Sequence, residues 1–143
     1  MIADKINILK KKFNQFNIDG YIIPKNDEFF SEYSANDRLK NITNFGGSAG
    51  LSIILRKKNY LFVDGRYTIQ AQNESGKNFR IIEIHKKLPG EIIKNYNLGF
   101  DPKLFTSEKL KYYFSNKNKL IPINQNLIDI IYQKKIKKSK PFF

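Results

Sequence analysis

Two runs rich in β-branched and aromatic residues sit on either side of Lys57-Lys58-Asn59 in "SAGLSIILRKKNYLFVDG". That pattern predicts a β-hairpin in the middle of the chain. A hairpin is not stable alone and needs further strands or helices over its apolar faces. The flanking sequence supplies both. Ile2, Ile6, Leu9, Phe13 and Phe16 recur at helical spacing, with Lys5 and Lys10 to Lys12 turned outward. Asp19-Gly20 reads as the stop, and "YIIP" as a short buried strand. A turn or two of helix is expected from Asn36, a candidate N-cap. After the hairpin come a helical segment "RYTIQAQNES", a strand "FRIIEIH", a short helix "LPGEIIKNY" and a strand "NLGFDP". Then follow a helix "SEKLKYYFSN", capped by Thr106 or Ser107, and a last strand "KLIPIN". Strands alternate with helices around one hairpin, so the expected fold is α/β: a mixed sheet flanked by helices.

The hairpin is preceded by Gly46-Gly47-Ser48-Ala49-Gly50, a literal match to the G-x-S-x-G nucleophile elbow. The elbow requires a strand before the serine and a helix after it. Here the order is reversed, and a triad would have to use the single histidine, His85. Phosphate binding fails on the same ground, because phosphate-cradling glycines open a helix and these open a strand. The remaining role is structural: Gly46, Gly47 and Gly50 permit positive φ or close backbone approach.

Asp27, Glu28 and Glu32 form the densest acidic cluster. A metal site would ordinarily add a histidine, and none is near in sequence. A solvated loop pairing with lysines is the simpler reading. His85, at the expected end of a strand, has no His or Cys neighbour and reads as a surface or edge residue rather than a catalyst. "VDGRY" is more informative. Asp64 can cap the following helix by accepting N–H bonds from Arg66 or Tyr67, and Gly65 makes the turn. Arg66 then stands on a rigid corner and is suited to holding a carboxylate. A salt bridge within the domain, with Glu28 or Glu32, is the competing role.

Net charge is +13, with 26 Lys and Arg against 13 Asp and Glu. The basic excess is concentrated after residue 102, where a nucleic-acid or acidic partner could be met. Arginine forks and stacked aromatics favour such readers, and arginine is scarce. The Lys-Ile-Asn bias of the chain supplies an innocent source for the charge. Nothing in the sequence spans a membrane. Cysteine is absent, which removes thiol catalysis and thiolate metal sites, and a cytoplasmic setting fits. "KKIKKSKPFF" reads as a basic linker over 133–143, leaving 1–132 as the domain. The residues by themselves supply no complete catalytic set.

Three spaced segments carry a resemblance: "YIIPKNDEFFSEY", "RLKNITNFGGSAGLSIIL" and "LFVDGRYTIQAQ". The positions concerned are Ser31-Glu32-Tyr33, Arg38-Leu39, Phe45, Gly47-Ser48-Ala49-Gly50, Asp64-Gly65-Arg66-Tyr67 and Gln70-Ala71. Together they resemble the N-terminal domain of aminopeptidase P, the Xaa-Pro aminopeptidase of the creatinase/prolidase group. "NLIDIIYQ" resembles the family's run-out towards its second domain. Two departures stand out: Phe29-Phe30 fall where the family has a histidine, and Asn44 replaces a glycine before Phe45. The resemblance implies a ribonuclease-H-like α/β fold for this domain. It implies a parent enzyme that is a dimeric cytosolic metallopeptidase releasing a residue ahead of proline. Its binuclear manganese site would lie in a separate C-terminal domain, with no metal or catalytic residue in this one. This domain would shape the substrate entrance and dimer contacts. Arg66 is the candidate substrate contact, and Gly47, Ser48, Gly50, Asp64, Gly65 and Tyr67 are the structural motif around it.

Overall fold

The computed structural model describes residues 2–25, 38–47, 50–114 and 118–131. Ser48 and Ala49, the Asp27/Glu28/Glu32 cluster, Ser31 and Tyr33, the Phe29-Phe30 departure, the Asn36 cap and the basic segment 133–143 all lie outside the described residues.

Helix α1, Ile2–Phe16, forms as its periodicity predicts. Ile6, Leu9 and Phe13 are fully buried, each stabilising by about 1.5–3 kcal/mol relative to exposure. The stop is not Asp19-Gly20. Asn17 takes the left-handed conformation at φ 56°. Ile18 N donates to Phe13 O at 3.0 Å and Asn17 N to Asn14 O at 3.4 Å. That pair of bonds is a Schellman closure, and Ile18 and Phe13 both enter the same core cluster. Gly20 is free to begin strand β1, Gly20–Pro24.

Helix α2 spans Arg38–Thr43, and the hairpin follows as β2, Leu51–Leu55, and β3, Asn59–Val63. Its connection is Arg56-Lys57-Lys58, one residue earlier than the sequence suggested, with Asn59 already in β3. A 3₁₀ turn at Gly65–Tyr67 leads into α3, Thr68–Ser75, then β4, Arg80–Glu83. Next come α4, Pro89–Ile92, β5, Asn97–Phe100, α5, Ser107–Phe114, and β6, Lys119–Pro122. Thr106 caps α5, its Oγ1 accepting from Lys109 N at 3.1 Å. Residues 127–131 are helical.

The strand order is β4-β3-β2-β1-β5-β6. β1, β2 and β3 are antiparallel neighbours, and β4, β5 and β6 join in parallel. Each parallel pairing needs a crossover, and α3 and α5 provide two of them. The expectation of a mixed sheet with flanking helices is met. One sheet face carries Tyr21, Ile23, Ile54 and Leu61 against α1, α2, α3 and 127–131. The other carries Ile22, Ile53, Phe62 and Leu98 against α4 and α5.

Candidate functional site

The site forms where α2, β3 and α3 meet. Asp64 leaves β3 in extended backbone, φ −64° and ψ 149°, and caps the turn. Its Oδ1 accepts from Arg66 N at 2.9 Å and from Arg66 Nε at 3.2 Å. Its Oδ2 faces His85 Nε2 at 3.3 Å. The Arg66 backbone N–H is the largest influence holding the Asp64 carboxyl below its ordinary range, and the His85 and Arg66 side chains add to it. Asp64 does cap through Arg66, and among the described residues Arg66 pairs with Asp64 itself; Glu28 and Glu32, the competing partners, lie outside them. The guanidinium lies 5.3 Å from the Tyr67 ring centre, and the side chain is 74% exposed. It is therefore aimed at solvent from a fixed corner, with one nitrogen engaged. His85 lies beyond β4, in the turn after Glu83, rather than at the strand's end. The sequence carried no sign of its contact with Asp64, 21 residues earlier.

The glycine turn packs onto this corner. Thr43 O accepts from Ser75 Oγ at 2.6 Å, and Gly46 N donates to Glu74 Oε1 at 2.9 Å. Phe45 meets Tyr67 edge-on, with ring centres 5.9 Å apart. None of the described glycines has positive φ. The left-handed residue is Asn44, at φ 69°, which ends α2 by donating its N–H to Lys40 O at 2.8 Å. Asparagine is the side chain that tolerates this backbone best after glycine, so the departure at Asn44 keeps the geometry. Gly47 serves close approach instead: a Cβ there would overlap the Phe45 ring. Gly50 is tight in the same way, with Leu39 Cδ2 at 3.0 Å and Phe45 Cε2 at 3.2 Å from such a carbon.

A second polar assembly was not anticipated. Arg38 is 4% exposed and forms a bidentate pair with Asp129, Nε to Oδ1 at 2.8 Å and Nη2 to Oδ2 at 2.9 Å. Asn126 caps the helical residues 127–131 through Ile128 N at 2.9 Å, and its Nδ2 donates to buried Asp101 at 3.0 Å. Leu127 N donates to Tyr21 Oη at 3.3 Å, and burial raises the Tyr21 hydroxyl well above its ordinary pKa. The chain's last described turn is thereby tied to three separate parts of the domain.

Among the described residues no three His, Asp or Glu side chains converge. Asp64 is engaged with Arg66 and His85, Asp101 with Asn126 and Lys103 N, and Asp129 with Arg38. This donor set does not fit a binuclear metal centre. The corner presents one guanidinium to solvent, a group able to pair with a carboxylate or a carbonyl.

The sheet order and the Asp-Gly-Arg corner define an α/β domain that presents a guanidinium at its surface. The chain belongs to the Creatinase/Prolidase N-terminal domain family, whose pattern matches residues 5–131. It is 30% identical over 148 aligned positions to a protein of Coprinopsis cinerea named probable Xaa-Pro aminopeptidase P, covering 91% of this chain and 23% of that one. It thus spans about a quarter of that relative's length. Among solved structures it superimposes on the X-prolyl aminopeptidase of Caenorhabditis elegans, a cytosolic enzyme with a di-nuclear active site. The TM-score is 0.78 at 24% identity, over 93% of this chain and 26% of that one. The N-terminal domain of the cytoplasmic peptidase PepQ from Mycobacterium tuberculosis matches as a unit: TM-score 0.67, 16% identity, 90% of this chain and 98% of that one.

Proposed function

We propose that this domain serves an Xaa-Pro aminopeptidase as its non-catalytic N-terminal part. It would border the entrance to a binuclear, manganese-dependent site carried by a later domain of the same polypeptide, in a cytoplasmic homodimer. Residues 1–132 would be the domain and 133–143 the start of the connection. Arg66 would contact the peptide substrate. The observation behind this reading is the fixed, solvent-facing guanidinium on the Asp64-Gly65 turn. A side chain that needs no rearrangement to meet a carboxylate loses little entropy on binding.

The experiment has two arms. The 143-residue chain alone is expected to leave an Xaa-Pro peptide uncut, with or without manganese, and cleavage would overturn the reading. In the polypeptide that joins this domain to a metal-binding catalytic domain, Arg66→Ala should raise KM about tenfold with kcat little changed, as loss of uniform binding does. An unchanged KM would remove Arg66 from the substrate path.

A further inference from the structure

We propose a second binding site: a basic groove beside β4 that takes an extended acidic polypeptide segment carrying apolar side chains. Two depressions, of 470 and 530 Å³, share Tyr60 and Ile92 in their walls and so adjoin. Together their linings run from the hairpin connection to β4, the outermost strand on that side among those described, with Ile92 of α4 in both. The basic lining is Arg56, Lys57 and Lys58 at one end and Arg80, Lys86 and Lys87 at the other. Among the described residues of the lining only Asp19 and Glu83 oppose them, a local excess of four positive charges. Arg56 is held in place by Asn14 Oδ1 at 2.8 Å and Ile18 O at 3.1 Å. Glu83 is engaged by Lys86 at 3.3 Å. Among the described residues Lys57, Lys58, Arg80 and Lys87 join no ion pair. Like charges gathered in a concavity attract a partner of opposite sign.

Three features choose a polypeptide over a nucleic acid. The accessible part of the floor is aliphatic, with half-buried Ile82 and Ile92, which suits apolar anchors and offers little to a base. Of the two aromatic rings in the lining, Tyr60 is 6% exposed and closed to stacking, and Tyr96, 38% exposed, is a single platform, whereas single-strand binders stack successive bases on several rings. All four residues of β4 line the groove, and β4 pairs only with β3 among the described strands. A free strand edge offers N–H and C=O groups to an incoming backbone. The lysines around it also guard the edge against unwanted pairing, and an acidic segment is the one kind of strand they would admit.

The test uses the whole 143-residue chain and a fluorescent peptide of alternating Glu and Val, with polyglutamate, oligouridylate and anionic vesicles as comparison probes. The alternating peptide should bind more tightly than any of the three, and more weakly as salt rises. Lys57→Gln/Lys58→Gln/Lys87→Gln should weaken it about tenfold, on the scale of three partly screened charge contacts. Lys103→Gln/Lys109→Gln/Lys111→Gln removes the same charge elsewhere and should change it less than about twofold. Because these lysines are solvent-exposed, both variants should keep the wild-type circular dichroism. Equal losses in both variants would mean diffuse attraction and overturn the site. So would polyglutamate, oligouridylate or vesicles binding as well as the alternating peptide, or no binding at low salt.

Discussion

Replacing Gly47 with alanine tests whether the glycine turn is a packing device. The added methyl would enter the Phe45 ring, whose Cε1 and Cε2 would each stand 2.9 Å away. Phe45 is fully buried and braced edge-on against Tyr67, so the ring cannot swing aside without opening the core. Overpacking of this kind costs about 1–3 kcal/mol. Gly46, one residue earlier, is the control. Among the described residues a methyl there meets nothing closer than Glu74 Oε1 at 3.9 Å, and its φ is not positive. Gly46→Ala should therefore be neutral, or stabilising by up to about 1 kcal/mol through the narrower unfolded ensemble. Urea unfolding separates the two. With a slope of about 2 kcal/mol/M, the Gly47→Ala midpoint should fall by roughly 0.5–1.5 M while that of Gly46→Ala holds or rises. Shrinking the ring should relieve the clash, so Gly47→Ala combined with Phe45→Leu should cost less than the sum of the single changes by more than about 0.5 kcal/mol. Equal midpoints for the two alanine variants would refute the packing account.

Asp129→Ala removes the bidentate partner of buried Arg38 and should cost about 2–3 kcal/mol, discounted from the fully buried case because Asp129 is 35% exposed; a loss below ~0.5 kcal/mol in chemical denaturation would show that the pair is dispensable. Asn44→Ala places a Cβ-bearing residue without asparagine's local hydrogen bonding at φ 69° and should cost about 1 kcal/mol, whereas Asn44→Gly should be near neutral. The expected order in thermal melts is glycine at or above wild type, then alanine, and the reverse order would sink the capping argument. The Asp64 carboxyl, held low chiefly by the Arg66 N–H, should titrate by NMR below the ordinary carboxylate range. Because the unfolded chain takes up that proton first as pH falls, the corner's contribution is complete above the ordinary range and fades as pH drops through the depressed value. Asp64→Asn should flatten the acid limb of stability, and an ordinary midpoint for Asp64 would contradict the geometry.

The parts of the fold that were legible are those written in short-range order. The α1 stripe and the hairpin each declare themselves within a window of about 18 residues, where periodicity is read directly. Asp64 could be read as a cap because its partner is two residues away. What stayed hidden depends on distance along the chain. Arg38 and Asp129 are separated by 91 residues, and no local pattern marks Asp129, one of two acids in a lysine-rich tail, as the partner of a buried cation. His85 failed for the same reason, since its partner lies on the far side of a crossover helix. The glycines failed differently. Glycine leaves two explanations open, positive φ and close approach, and only the position of Phe45 decides between them. Asn44 absorbs the backbone requirement, which leaves Gly47 to serve the ring alone. It follows that the turn is specified by Asn44 for the backbone and by Gly47, with Gly50, for the ring, rather than by an unbroken run of glycines. A sequence carrying glycine at 44 and a β-branched residue at 47 would match the backbone demand and still lose the packing that holds Tyr67, and with it Arg66, in place.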